Sequence, residues 1–187
     1  MPEPCLEAFG PLAPLAGVWE GDQGRDVAPS DDRGVEESSY RERLVLEPIA
    51  PVDNHEQWLQ VLRYRTTAWR IGEADPFHEE VGYWLWDAER QLVMRSFIVP
   101  RGVTVLAGAR VAPDASSFTL TAELGSRTFG ICSNPFLDVE FRTVRFDVTL
   151  RVLGPGRFGY EEDTQLQMPG RDAIFHHTDR NVLARVG

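Results

Sequence analysis

Residues 145–152 read Arg145-Phe146-Asp147-Val148-Thr149-Leu150-Arg151-Val152. Apolar and polar side chains alternate without a break, with Phe146, Val148, Leu150 and Val152 on one side and Arg145, Asp147, Thr149 and Arg151 on the other. A period of two marks a strand with one buried and one wet face. The pattern returns at Phe118, Leu120, Ala122 and Leu124 against Thr119, Thr121 and Glu123, and at Leu62, Tyr64, Thr66 and Ala68 against Arg63, Arg65 and Thr67. Further strands are predicted over 17–24, 38–47, 78–87, 91–99, 103–111, 157–167 and 173–185, each bounded by Gly, Pro, Asp or Ser, about ten in all.

Turn signals separate these strands at the spacing of a meander: Asp87 to Arg90, Pro100-Arg101-Gly102, Pro113 to Ser116 and Gly154-Pro155-Gly156, the last two reading as hairpin connections. Helical signal is confined to residues 4–16, where Leu6, Phe9, Leu12 and Leu15 can cover one end of the structure and prolines keep the segment short. Residues 126–141 break the alternation and contain Pro135; they are expected to be a long connection packing apolar groups across a barrel mouth or an interface, which leaves a homodimer open. Consecutive antiparallel strands of this number either stack as a sandwich or close into an up-and-down barrel, and closure removes their edges. The expected fold is therefore all-β, an antiparallel up-and-down β-barrel of about ten strands with a short N-terminal helical segment, as a single domain over residues 1–187. Its inward rows are mostly apolar, so a cavity between them suits a small hydrophobic or amphipathic ligand.

Composition narrows the function classes. The 187 residues carry a net charge of −10, from 29 acidic and 19 basic side chains, and every basic one is arginine. That balance repels a phosphate backbone, so a nucleic-acid partner is not expected. The apolar stretches are too interrupted by charge for a membrane span, and the N-terminus has acids where a secretory signal carries positive charge, so the protein is read as cytoplasmic. Cys5 and Cys132 form no C-x-x-C pair, and two reduced thiols are expected.

Acid–base or metal chemistry near neutral pH would draw on four histidines, at 55, 78, 176 and 177. His55 reads as a loop residue. His78 opens a strand at a barrel rim, where it serves either as a structural group paired with a carboxylate or as a functional one. His176 and His177 are neighbours on a strand and point to opposite faces. They cannot both ligate one ion, but either can supply a single axial ligand to haem from an apolar slot. Motifs for hydrolases, nucleotide binding, zinc proteases and covalent haem attachment are absent from the sequence. Glu161, Glu162 and Asp163 offer carboxylates, and a catalytic barrel using Glu80, Glu162 and His78 for acid–base work is one reading. The cluster Tyr83, Trp84 and Trp86 reads as wall packing.

Three motifs, in order, carry a resemblance. Gly17-Val18-Trp19-Glu20-Gly21 with its lead-in Leu12 to Ala16 is similar to the G-x-W-x-G-x-G start of the nitrobindin family, which includes the C-terminal domain of THAP4. His78-x-Glu80-x-Gly82-Tyr83-Trp84 resembles that family's H-x-E-x-G-Y-W strand, and the terminal strand resembles the one bearing its proximal histidine. The likeness runs from about Pro11 to Val186. Two details differ: the third glycine falls one place late, at Gly24, and counting back from Leu183 puts Thr178 in the histidine's place unless a residue bulges. The resemblance implies a ten-stranded, fatty-acid-binding-protein-like barrel holding non-covalent haem b near one mouth, its iron bound by His177 or else His176, with His78 as distal rim histidine. It further implies nitric oxide binding and conversion of peroxynitrite to nitrate. The alternative from the residues alone is a haem-free carrier for a lipid-like ligand.

Overall fold

Alternation closes the sheet on itself. The computed structural model describes residues 5–186, so Pro4, the first residue of the expected helical segment, lies outside the described residues. Eleven strands are present: β1 (Gly17–Ala28), β2 (Glu36–Asp53), β3 (Trp58–Arg70), β4 (His78–Asp87), β5 (Leu92–Val99), β6 (Val103–Arg110), β7 (Ser117–Leu124), β8 (Gly130–Ser133), β9 (Arg142–Gly154), β10 (Arg157–Gln167) and β11 (Phe175–Arg185). They form a closed barrel in which β1 pairs with both β2 and β11. Phe146, Val148 and Leu150 of the opening stretch are buried, as are Phe118, Leu120, Ala122, Leu62, Tyr64 and Ala68. Trp84 and Trp86 are wall residues of the interior, whereas Tyr83 faces out.

The strand beyond the expected ten lies inside segment 126–141. β8 inserts between β6 and β7, antiparallel to β6 and parallel to β7, so those two pair directly only at Gly108↔Thr121. The expected β6–β7 hairpin at Pro113 to Ser116 is thereby splayed, and Leu124, predicted to face inward, is exposed. A one-turn helix, α1 (Pro135–Glu140), follows β8. Asn134 caps it, its side-chain oxygen accepting from the Phe136 and Leu137 amides, and Pro135 occupies the first turn, where its missing N–H costs nothing.

The N-terminal segment Leu6–Leu15 is a 3₁₀ run, not an α-helix, because Pro11 and Pro14 lack the donors an α-helix requires. It bends at Gly10, which has φ 52° and lies under the Trp86 indole, 2.6 Å from where a Cβ would stand. Phe9, Leu12 and Leu15 are fully buried and stop this end of the barrel, packing with Trp19, Trp86, Phe158 and Leu183. Trp19 Nε1 donates to the Leu15 carbonyl at 2.7 Å and its ring meets Phe158 edge-on, so the tryptophan of the G-x-W motif ties the stopper to the wall.

The displaced glycine has a structural cause. Gly21 pairs with Glu42 and Gly24 with Tyr40, three residues of β1 against two of β2, so the additional residue is absorbed as a β-bulge. Beyond it Gly24 lies flat under the Tyr40 ring, 2.5 Å from where a Cβ would stand. No helix of the described residues is long and apolar enough to cross a membrane.

Candidate functional site

Because antiparallel strands reverse at each turn, the loops after β1, β3, β5 and β10 gather at the end opposite the stopper, together with α1. They surround the opening of a cavity of about 810 Å³ that descends into the barrel, a size typical of small-molecule sites. Three levels line it. Phe77, Val99, Leu137, Phe141 and Leu166 give the mouth apolar walls, a belt of charged and hydroxyl groups lies below, and Leu46, Trp84, Leu150 and Phe158 make an apolar floor.

The terminal strand brings one histidine to the mouth. β11 pairs with β10 in unbroken register from Ala184↔Arg157 to Phe175↔Leu166, so residues 175, 177, 179, 181 and 183 share a face. Leu183 and Asn181 on that face are buried, and His177 and Asp179 line the cavity. The irregularity falls in β1, not β11, so Thr178 points outward and His177 stands in the inward row. Its Nε2 lies 3.0 Å from Asp26 Oδ1, an aspartate that is itself buried. His176 is on the outer face, 57% exposed, with Nδ1 2.9 Å from Asp163 Oδ2. It does not line the cavity, because neighbours in a strand project to opposite sides.

The H-x-E-x-G-Y-W strand, β4, contributes alternate residues to the interior. His78 sits at the mouth, Glu80 and Trp84 are buried below it, and at Gly82 the Ser96 carbonyl comes so close that no Cβ fits. His78 Nε2 is 3.8 Å from Glu80 Oε2. Burial works against its imidazolium, but Glu80, with Glu162 and Glu42 beyond, outweighs that and lifts its pKa above the ordinary histidine value. His55 is an exposed loop residue, as expected.

Glu80 and Glu162 do meet, around a residue that sequence reasoning passed over. Arg95 is 7% exposed; its Nη2 donates to Glu80 Oε1 at 2.5 Å, its Nη1 to Glu162, and its Nε to the Tyr64 hydroxyl at 3.1 Å. Its guanidinium also lies 4.6 Å from the Phe97 ring centroid and 5.3 Å from that of Trp84. Burial tends to raise the Glu80 carboxyl, but the Arg95 charge and the His78 and Tyr64 hydrogen bonds hold it well below the usual carboxylate range. Burial raises Glu162 and Arg95 only partly offsets it. Both carboxylates of the acid–base reading, Glu80 and Glu162, are thus ion-pair partners of one buried guanidinium. The signal for Arg95 is the alternation of Val93, Arg95 and Phe97, which puts an arginine in an apolar inward row.

A second polar chain completes the belt. Tyr160 donates to Glu42 Oε2 at 2.7 Å, Tyr40 and Tyr160 hydroxyls are 2.8 Å apart, Thr66 donates to Glu42 Oε1 at 2.7 Å, and Asn181 to Oε2 at 3.2 Å. Burial pushes the Glu42 carboxyl up, and burial together with Glu162, Glu42 and Asp26 pushes Asp179 well up. Burial and neighbouring carboxylates raise both tyrosines, which stay protonated as donors.

Among the described residues no three His, Cys, Asp or Glu side chains converge as a metal cage, and Cys5 and Cys132 are both free. A tetrapyrrole asks instead for apolar walls and one inward imidazole whose other nitrogen is held by a carboxylate. The mouth offers that set: Phe141, Leu166, Val99 and Leu137 as walls, His177 as imidazole and Asp26 as its partner. The residues present fit the group.

No curated protein sequence matches this chain. The crystal structure of Rv2717c from M. tuberculosis is similar in fold, at 20% identity and a TM-score of 0.64, covering 96% of this chain and 98% of that one. The profile of the THAP4-like, heme-binding beta-barrel domain matches residues 8–185. With a closed barrel, a walled mouth and an inward histidine on the last strand behind that match, the chain belongs to the THAP4-like haem-binding β-barrel family.

Proposed function

We propose that the chain binds haem b non-covalently at the barrel mouth, with His177 as the single axial ligand, and that the holoprotein binds nitric oxide and isomerises peroxynitrite to nitrate. The observation that carries this reading is the placement of His177 in the inward row of β11, at the edge of the cavity and against Asp26. When bound, the haem supplies an iron with an open coordination position, a binding site for nitric oxide and a Lewis acid toward peroxynitrite.

The protein's own contribution is orientation and environment. Asp26 holds the His177 ring in place through Nε2. Phe141, Leu137, Leu166 and Val99 would give a bound macrocycle apolar surroundings and keep water from it. His78, biased toward its protonated form, supplies a donor for an anionic oxygen at the mouth. The reading includes a cytoplasmic location, where the exposed thiols of Cys5 and Cys132 stay reduced, and a small molecule as partner in place of nucleic acid.

Titration with haemin tests it. The expected result is a Soret band that His177→Ala abolishes and His176→Ala leaves intact. No Soret shift at micromolar haemin would favour a haem-free carrier, to which the apolar floor of the cavity lends itself; mass spectrometry of organic extracts of the purified protein would then look for a lipid-like guest.

A further inference from the structure

Three arginines stand on the cavity's rim in an otherwise acidic protein. Arg33, Arg70 and Arg101 come from the loop after β1, the end of β3 and the turn after β5, and all three line the mouth. Each is held by an aromatic face: Arg33 and Arg101 lie over the same Phe141 ring, at 5.1 and 5.7 Å from its centroid, and Arg70 over Phe77 at 4.9 Å. Their counter-charges are uneven. Arg33 is paired with Glu140 at 2.5 Å, whereas Arg70 reaches Glu36 only at 3.4 Å and its Nε is buried with no hydrogen-bond partner. Among the described residues the Arg101 guanidinium has no carboxylate partner, and Asp31 and Glu79, which also line the mouth, pair with none of the three. Below the rim the sign reverses, where Asp26, Glu42, Glu80, Glu162 and Asp179 face a single Arg95.

We infer that Arg70 and Arg101 form an anion-binding rim that takes the carboxylates of an amphipathic ligand and sets its orientation, apolar body inward and carboxylates at the mouth. Guanidinium forks match carboxylates bidentately, and stacking on Phe77 and Phe141 holds the planes in place before the ligand arrives. The acidic belt below excludes the opposite orientation, since an anion there would meet carboxylates in a low-dielectric interior. This rests on the haem reading to the extent that the carboxylates are the two propionates of haem; a fatty acid would present the same group.

The test compares haemin with haemin dimethyl ester, whose propionates are masked, by Soret titration of the full chain in matched detergent buffer. Wild type is expected to bind haemin about tenfold more tightly than the ester, and Arg101→Gln and Arg70→Gln to bring the two within about twofold by weakening haemin alone. Equal binding of both compounds by wild type, or an unchanged preference in both variants, overturns the rim while leaving the haem reading standing. Binding of neither compound overturns the haem reading instead. The rim is then decided by tryptophan quenching with palmitate and methyl palmitate: a preference for the free acid that the variants lose supports it, and no preference overturns it. Circular dichroism melts confirm that the variants fold.

Discussion

Asp179 and Glu42 show how position overrides the ordinary chemistry of a side chain. Both carboxyls are pushed up, first by burial and, for Asp179, by the surrounding acids as well. An acid whose folded pKa exceeds its unfolded one binds more protons in the native state, so it adds stability at low pH and loses it as pH rises from the ordinary carboxylate value through the folded value. Asp179→Asn removes that loss. The variant should therefore melt near wild type at pH 4 and above it at pH 8, with a gain on the order of 1 kcal/mol per displaced pKa unit, read from thermal melts across the range. His78 slopes the same way: its pKa is raised, so its contribution is full below the ordinary histidine value and fades as pH climbs through the folded one. Arg95 is the opposite case, a charge that the fold cannot lose. Arg95→Met would leave Glu80 and Glu162 buried and facing one another, with an expected cost of about 3–5 kcal/mol in urea unfolding at pH 7. The deficit should shrink as pH falls and the carboxyls take up protons, and adding Glu80→Gln and Glu162→Gln to the same chain should recover most of it.

At the scale of elements, strand type and facing are legible wherever alternation is unbroken. Parity with the core residue Leu183 selects His177 over His176 as the inward ring, provided β11 is regular, and it is. The bulge between Gly21 and Gly24 is not visible in the same way, because two glycines separated by Asp22-Gln23 fit a turn as well as a bulge; only pairing with β2 shows which. β8 and α1 are likewise obscured, since four residues are too few to show a period. The Asn134-Pro135 pair is a helix-start signal that the local sequence does carry. Asn134→Ala should cost about 1 kcal/mol in chemical denaturation and speed amide exchange over Phe136 to Phe141. Because Leu137 of this helix and Phe141 just after it line the mouth, the same change should loosen the cavity's edge.

For the whole molecule the decisive facts are closure and the stopper. With β1 hydrogen-bonded to β11, no strand of the barrel has a free long edge, and unfolding should follow one cooperative transition, with calorimetric and van't Hoff enthalpies in agreement. Phe9 anchors the stopper with no exposed surface. Phe9→Ala should lower stability by about 3–5 kcal/mol and shift tryptophan fluorescence, since the adjoining Gly10 lies beneath Trp86. The net charge of −10 also acquires a distribution: ion pairs such as Arg63–Glu47 and Arg43–Glu20 lie on the outer wall, and acids without a full complement of bases line the interior belt.

By itself the amino-acid sequence determined the all-β class, the inward rows, the N-terminal stopper and the three motifs of the family, because all of these are local: a period of two, a proline, a short run of residues at fixed spacing. The tertiary structure decided what depends on which strand lies beside which. It set the bulge that lets Gly24 reach Tyr40, brought Asp26 to His177 across 151 positions, and gathered Glu80 and Glu162 on Arg95. It also put arginines from three separate segments of the chain on one rim. Such partners are fixed by register and closure, and alternation within one strand carries no information about either.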